Sequence, residues 1–519
     1  MKNILIAIRS IFKKGRHNVM KIVSLGIGLA VGLVLIAKVY FEQSYDDFYP
    51  DRDRVYQVWA KYQQNGGELK DYPQTSGGIA PTMQQQIPEI ETVTRYTSFG
   101  DWTFTMTDTK MKYSGRCIIA DSCFFDILPR PMLIGNAKEF LSTPMYVLVS
   151  SRIAKNIGGD VIGKNFTVDS SPGRTMTIGG VFEEVPENSH SRYDVIVSMA
   201  SAGRFMWEGS PTNMLGNDRY ISYVKLHKGV NPLALEEQVH TFVNSYFPPE
   251  EQQKTGFNIG FSFHELDGLH KELPQVKRMT WILSLLAFAL IFTAVMNYIL
   301  IVISSIVNRS KEVAVHKCYG ASENNIHGMM FGEALVHIVL SLILALLLIL
   351  AFRGTVEELL ATSLDSLLLS NGSLVLLGIC ILVFFVSGFM PGSLYARIPV
   401  ASAFRNYREN KRIWKKALLL VQFVATGFLV TMLVFVARQY TFMVNDRPGY
   451  AYENLAYCGL AGVDSTSRAK ILDEVMRLPG VVAATTVYQL PFEHASGNNI
   501  LLPGETQELF NIALSLIHI

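Results

Sequence analysis

Five long apolar runs divide this chain: Ile22–Ala37, Met279–Val307, Ala334–Phe352, Ser373–Ala396 and Ala417–Ala437. A helix needs about 20 apolar residues to cross the hydrocarbon core of a membrane. Each run reaches or approaches that length, the first once Val39, Tyr40 and Phe41 extend it. The pattern therefore predicts transmembrane helices over 22–41, 279–307, 329–352, 373–396 and 417–437. Residues 42–278 follow another pattern. Compact runs such as Tyr146–Val149, Met176–Ile178 and Val195–Val197 are bounded by Gly, Pro and Asn, as strands are. Ser150–Asn156 and Pro232–Phe247 read as helices, the second opening behind Asn231 as a cap with proline at the first position. The expected fold class is an α-helical integral membrane protein with a large α+β domain and, over 438–519, the start of a second.

Composition agrees: 49% hydrophobic and 17% charged residues in 519 fit a membrane protein carrying a sizeable soluble part. A net charge of +2 adds nothing, but its distribution does. Residues 1–21 hold Lys2, Arg9, Lys13, Lys14, Arg16 and Lys21 and no acid, and the loops 308–328 and 397–416 are basic as well. The loop 353–372 instead sets Arg353 against Glu357, Glu358 and Asp365. Basic flanks stay cytoplasmic, which places the N-terminus inside and both 42–278 and 438–519 outside. Within 1–21, Ile4, Leu5, Ile8, Ile11 and Phe12 lie opposite Arg9, Lys13 and Arg16, an amphipathic helix suited to the lipid surface.

The layout repeats. After each of the first and last runs comes a Tyr- and Asp-containing stretch (44–49 against 445–450), then an expected strand (Arg54–Trp59 against Asn454–Cys458). A helix then exits at Pro88 in one half and Pro479 in the other. Far less chain follows Pro479 than follows Pro88, so the second outer domain is expected to be incomplete. The tail Leu514–Ile519 looks foreign to the rest.

No motif supports catalysis. Gly158–Lys164 has the spacing of a phosphate-binding loop, but Asn165 replaces the hydroxyl residue and a strand-like Phe166–Val168 follows, so a turn is the expectation. Ser189, His190 and Asp194 are triad types too close in sequence to converge, and they read as a turn rich in local bonds. Asp46, Asp47, Asp51 and Asp53 lack the glycine and terminal glutamate of a calcium loop and read as a solvated capping segment. Five cysteines form no metal spacing and no disulfide framework. No catalytic residue, metal or cofactor is expected, and no nucleic-acid partner.

Between the second and third runs, Glu312 and His316 share one helical face and Val315 with Tyr319 a neighbouring apolar one. Lys317 suits the last turn, Gly320 the stop, and Ser322 the cap of the next helix. The resulting helix is either a membrane-surface connector or a docking helix. Glu333 and His337 are ionisable at membrane depth, where a charge costs roughly 2.5–3.5 kcal/mol at the helix centre. They need a role or must snorkel to the nearby cytoplasmic end. Gly28 and Gly32 permit close helix approach, across a dimer or within one subunit.

Several of these segments carry a resemblance. Glu312–Lys317 through Gly320, Ala321 and Ser322, Phe331–Ala334, Ile162–Asn165 with Gly180–Phe182, Pro186–His190, and Lys416–Leu418 with Gln422 and Phe423 are similar to MacB/FtsX-type ABC transporter permeases, of the tandem-repeat kind with two outer domains. The resemblance implies a MacB-like periplasmic core in 42–278 and a multi-pass protein of the bacterial inner membrane. It also implies a homodimer or related pair of permeases above separate cytoplasmic ATPase subunits that hydrolyse the ATP, with a membrane-fusion protein as a further partner. Arg309, Lys311, Glu312, His316, Lys317, Gly320, Ala321 and Ser322 would couple to the ATPase, His316 standing where the family usually has arginine. Motion would pass through the spans for export or efflux, or, as in FtsX-like proteins, to control an outer partner without transport.

Overall fold

The computed structural model describes residues 17–396, 400, 413–445, 454–460, 463, 465–487, 497–500 and 510–513, except 65, 170, 172, 217 and 370. The expected amphipathic helix lies outside the described residues through residue 16, as do nearly all of the basic linker 397–416, the stretch 446–453 and the tail 514–519.

Residues 55–265 form an eleven-stranded sheet in the order β11 (Phe257–Glu265), β1 (Val55–Gln64), β10 (Ile221–Leu226), β3 (Ile90–Met106), β4 (Lys112–Ala120), β9 (Val195–Ser198), β6 (Tyr146–Ser150), β8 (Thr175–Phe182) and β5 (Met132–Ile134), with β2 (Lys70–Tyr72) on β1 and β7 (Asn165–Val168) against β3 and β8. The central strands explain the compact apolar runs. In β4 (Lys112–Ala120), Cys117 and Ile119 enter one core while Ile118 and Ala120 enter the other. In β6 (Tyr146–Ser150), Val147 and Val149 likewise oppose Leu148. Side chains alternate faces along a strand, so burial on both faces demands an unbroken apolar run. β9 (Val195–Ser198) is buried throughout, and β8 (Thr175–Phe182) nearly so. β3 (Ile90–Met106) is longer and mixed in polarity, and it carried no comparable sequence signal.

A second lobe of the same sheet has one face covered. The helices Ile79–Gln86 and Glu236–Tyr246 lay Ile79, Met83, Val239 and Phe242 on Val58 of β1 (Val55–Gln64), Val93 of β3 and Val224 of β10 (Ile221–Leu226). Asn231 caps as expected, but the helix it opens begins as a 3-10 turn, Pro232–Leu235, before the α-helix. β11 (Phe257–Glu265) pairs along the whole of β1 and returns the chain to the bundle.

Among the described residues, five helices are long and apolar enough to span a membrane. They are α1 (Asn18–Gln43), α2 (Pro274–Ser304), α4 (Glu323–Ala351), α5 (Ser373–Ala396) and α6 (Ile413–Asn445), with α3 (Ile306–Cys318) between α2 and α4. α1 packs against both α2 and α4, and their core holds Leu25, Leu29, Leu33, Ile299 and Ile338. Along α6 nearly every described side chain is exposed. Beyond it, Ser465–Met476 is helical and ends before Pro479, as Ile79–Gln86 ends before Pro88. The matching strand does not form: residues 455–460 are irregular and largely exposed. In the first half β1 is held between β10 and β11, and no such partners flank 455–460 among the described residues.

Gly28 and Gly32 serve contacts inside the chain. A Cβ on Gly28 would stand 2.2 Å from Ala294 Cβ, and one on Gly32 2.4 Å from Ile291 Cγ1, both on α2. In lipid such close packing carries helix association because burial from water does not. Gly28→Ala is therefore expected to destabilise the bundle by about 1–3 kcal/mol, the usual cost of overpacking. Thermal unfolding in detergent checks this, with Gly427→Ala on α6, where the added methyl meets nothing within 4 Å, expected to match the wild type.

Candidate functional site

The segment after α2 begins with a break. α2 ends at Ser304, and α3 starts at Ile306 after the single residue Ser305. Tyr395 of α5, fully buried, pins this break: its hydroxyl donates to the Val302 carbonyl at 3.1 Å and lies 3.2 Å from Ser305 Oγ. On α3 the face turned inward is Ser310, Val313 and Ala314, spaced three and four apart. The expected apolar face is not the buried one, since Val315 is 43% and Tyr319 90% exposed. Packing against α2 and α5 selects the 310/313/314 edge and turns Val315 and Tyr319 outward. Lys311 and His316 are exposed, Glu312 and Lys317 half-buried, and the side chain of Arg309 lies outside the described residues.

Gly320 stops α3 with a φ of 87°, a left-handed conformation in which glycine carries no steric penalty. Its N–H donates to the Lys317 carbonyl, and that of Ala321 to His316, both at 3.0 Å. Ser322 then caps α4 by accepting from the Asn325 N–H.

Glu333 and His337 do not snorkel. Glu333 is 6% exposed and His337 wholly buried. Glu333 stands 3.6 Å from Lys21 Nζ, and His337 Nδ1 lies 3.2 Å from the Tyr298 hydroxyl on α2. Lys21 is accordingly no solvated flank. It sits inside the bundle on α1 and also donates to Asn18 at 3.3 Å. Polar groups at this depth find partners on neighbouring helices because lipid offers none.

The outer end of α1 holds a second polar cluster that sequence patterning missed. Lys38 pairs with Glu42 at 2.7 Å and donates to Thr362 at 2.8 Å. Glu42 meets His270, in the segment between β11 and α2, at 2.5 Å. Tyr45 stacks on that imidazole, ring centroids 3.7 Å apart, and meets His190 edge-on. Burial, then the carboxylates of Glu42 and Asp46, push the Tyr45 phenol up, keeping it neutral.

Asp46 is the knot of this cluster. Only 1% exposed, it accepts from Ser189 Oγ at 2.6 Å and pairs with the His190 ring at 2.5 Å. Its φ of 56° is a left-handed conformation that aspartate tolerates better than most residues. Its own N–H donates to the Asn188 carbonyl, while Asn188 Nδ2 donates to the Ser44 carbonyl at 2.6 Å. One residue earlier, Glu187 accepts from the Ser363 N–H at 3.0 Å, tying the same loop to the segment between α4 and α5.

Two expectations are thereby corrected. Asp46 is not solvated, and beside the local bond from the Ser191 N–H to Ser189 Oγ at 3.2 Å, the bonds of Ser189 and His190 reach across 143 and 144 residues. Asp194 faces elsewhere, paired with Arg152 at 2.5 Å, so the three triad types do not converge. At the phosphate-loop look-alike, Gly158, Gly159 and Gly163 take positive φ ahead of β7 (Asn165–Val168), a turn before a strand. All five cysteines are free, and no metal-holding cluster occurs among the described residues.

Two family models match the chain: the MacB-like periplasmic core domain over residues 20–242 and the FtsX-like permease C-terminal domain over 284–400. The chain belongs to the MacB/FtsX-type ABC transporter permeases. A permease of this family is the membrane-embedded component of an ABC transporter, here with a MacB-like periplasmic core of α+β fold. A domain of a candidate permease protein from Porphyromonas gingivalis is 32% identical, matching 42% of this chain and 91% of its own length with a TM-score of 0.39. The periplasmic region of MacB from Actinobacillus actinomycetemcomitans is 16% identical over 40% of this chain and 87% of its own, TM-score 0.27. The extracellular domain of the ABC-type transporter YknZ from Gram-positive bacteria is 10% identical over 40% and 98%, TM-score 0.29. No curated protein matches significantly.

Two outcomes are expected for this permease. Removing one partner of a buried ion pair strands the other, at about 3–5 kcal/mol, whereas replacing both by apolar residues is often near neutral. Thermal unfolding of Lys21→Met and Glu333→Leu should thus show larger losses singly than together. At the outer cluster, Asp46→Ala should free the 186–191 loop, read as faster amide exchange across Asn188–Ser191 with the 146–150 and 195–198 strands unchanged.

Proposed function

We propose that this permease relays ATP-driven motion of a separate cytoplasmic ATPase to its outer domain, in the service of export or efflux. In this reading it sits in the bacterial inner membrane with its N-terminus cytoplasmic, works as a homodimer or with a related permease, and meets a membrane-fusion protein outside. The observation that carries the reading is the loop 186–191, which is bonded at once to the end of α1 through Asp46 and to the α4–α5 segment through Ser363. A displacement of either span reaches the sheet through bonds between buried or half-buried groups, not through a slack linker.

At the other end, α3 is the docking element. Lys311, Glu312, His316 and Lys317 supply its polar surface, Arg309 is assigned to the same coupling segment by its place in the sequence, and Gly320, Ala321 and Ser322 fix the turn into α4. Pinning by Tyr395 passes a push on α3 to α2 and α5. This chain then transmits, and the ATPase hydrolyses.

Replacing Glu312, Lys317 and Gly320 together by alanine should weaken association with the cognate ATPase in detergent or nanodiscs by about tenfold or more, the loss of one or two charge-assisted contacts. Undiminished association in a variant that unfolds at the wild-type temperature would remove the docking role.

A further inference from the structure

In the outer domain, on the flanks of the loop that grips Asp46, lies a cavity of about 430 Å³. Glu184 and Val185 line it on one side of that loop and Arg192, Tyr193 and Asp194 on the other. Its wall also includes Arg130, a residue only 6% exposed. None of the three guanidinium nitrogens of Arg130 has a hydrogen-bond partner among the described residues, and no carboxylate stands within ion-pair distance. The group lies over four rings instead: Phe182 at 5.3 Å, Phe124 at 5.8 Å, and Phe125 and Tyr193 at 5.9 Å.

Cation–π contact offsets part of the cost of burying a cation but leaves its charge uncancelled. The neighbouring phenols do not cancel it either. Burial pushes Tyr49, Tyr96 and Tyr193 up, so each is neutral at physiological pH. Burial also lowers the pKa of Arg130, yet arginine stays protonated in proteins. A fixed positive charge in a low-dielectric wall therefore projects into the cavity.

The remaining charges of the cavity divide unevenly. Asp194 is spent on Arg152 at 2.5 Å and on the Arg116 N–H at 2.9 Å. Asp101 and Glu184 are exposed, and Glu184 accepts from Ser151. Arg116 and Arg192 are exposed at the same opening. Guanidinium groups converging on one concavity, with one of them buried and uncompensated, suit an oxyanion.

We propose that this cavity is a binding site for a small extracytoplasmic oxyanion, a phosphate or carboxylate group, held by Arg116 and Arg192 above the charge of Arg130. Because residues 184–185 and 192–194 flank the gripping loop, an occupant would bear on the segment that ties the outer domain to α1. The site stands independently of the relay proposed above.

The test is isothermal titration of the full chain in detergent with inorganic phosphate and, separately, with succinate, against sodium chloride at matched ionic strength. Saturable binding of either at one site per chain, weakened tenfold or more in Arg116→Ala/Arg192→Ala, supports the site, and the arm that binds sets its class. Both substituted side chains are exposed, so that variant should fold, which its unfolding temperature checks. Arg130→Leu, if folded, should lose binding as well; if it does not fold, the double variant decides. Absence of saturable heat above the chloride reference in both arms, or equal affinity in the double variant, would overturn the proposal.

Discussion

In the helix bundle, where lipid offers no partner, ionisable groups held away from water are stable only when paired where they stand, and α1 carries such groups near both of its ends. Lys21 meets Glu333 of α4 near one end, while Lys38 and Glu42 meet Thr362 and His270 at the other. Between them, Gly28 and Gly32 let α2 approach so closely that a methyl group would collide. A helix fixed at both ends by charge and in the middle by shape has one register. Sliding α1 by a single residue would rotate its side chains by about 100° and unpair both ends together.

The outer domain inherits its position from this helix. The chain leaves α1 through the buried left-handed turn at Asp46 and returns to α2 past His270, which pairs with the same helix. In between, a sheet with two cores on its central strands gives a stiff body, because those strands are buried on both faces. The family assignment and the geometry meet here: the periplasmic core domain and the permease domain are joined by specific side-chain bonds as well as by chain connectivity.

Much of this was legible in the sequence, and the reasons are physical. Long apolar runs announce spans because lipid admits little else, and compact runs such as Tyr146–Val149 announce strands buried on both faces. The helix stop at Gly320 and the cap at Ser322 are local chemistry and appear where the residues imply them. What sequence spacing could not supply was the partner of a polar residue. Asp46 and Ser189 lie 143 residues apart, so an acidic run looked solvated and a Ser-His turn looked local. For α3, periodicity places the apolar edge at Val315 and Tyr319, and tertiary packing buries Val313 and Ala314 instead. One signal was available at the outer cluster: Lys38 and Glu42, four apart at the exit of an apolar helix, form a pair that needs further partners when buried.

The neck between bundle and sheet consists of two chain segments, one leaving and one returning, and the Glu42–His270 contact ties them to each other. A single tether carries only tension. Two tethers clasped together also carry torque, since neither can wind about the other without breaking the clasp. A rotation of α1 about its own axis would thus turn the outer domain as a key turns a lock.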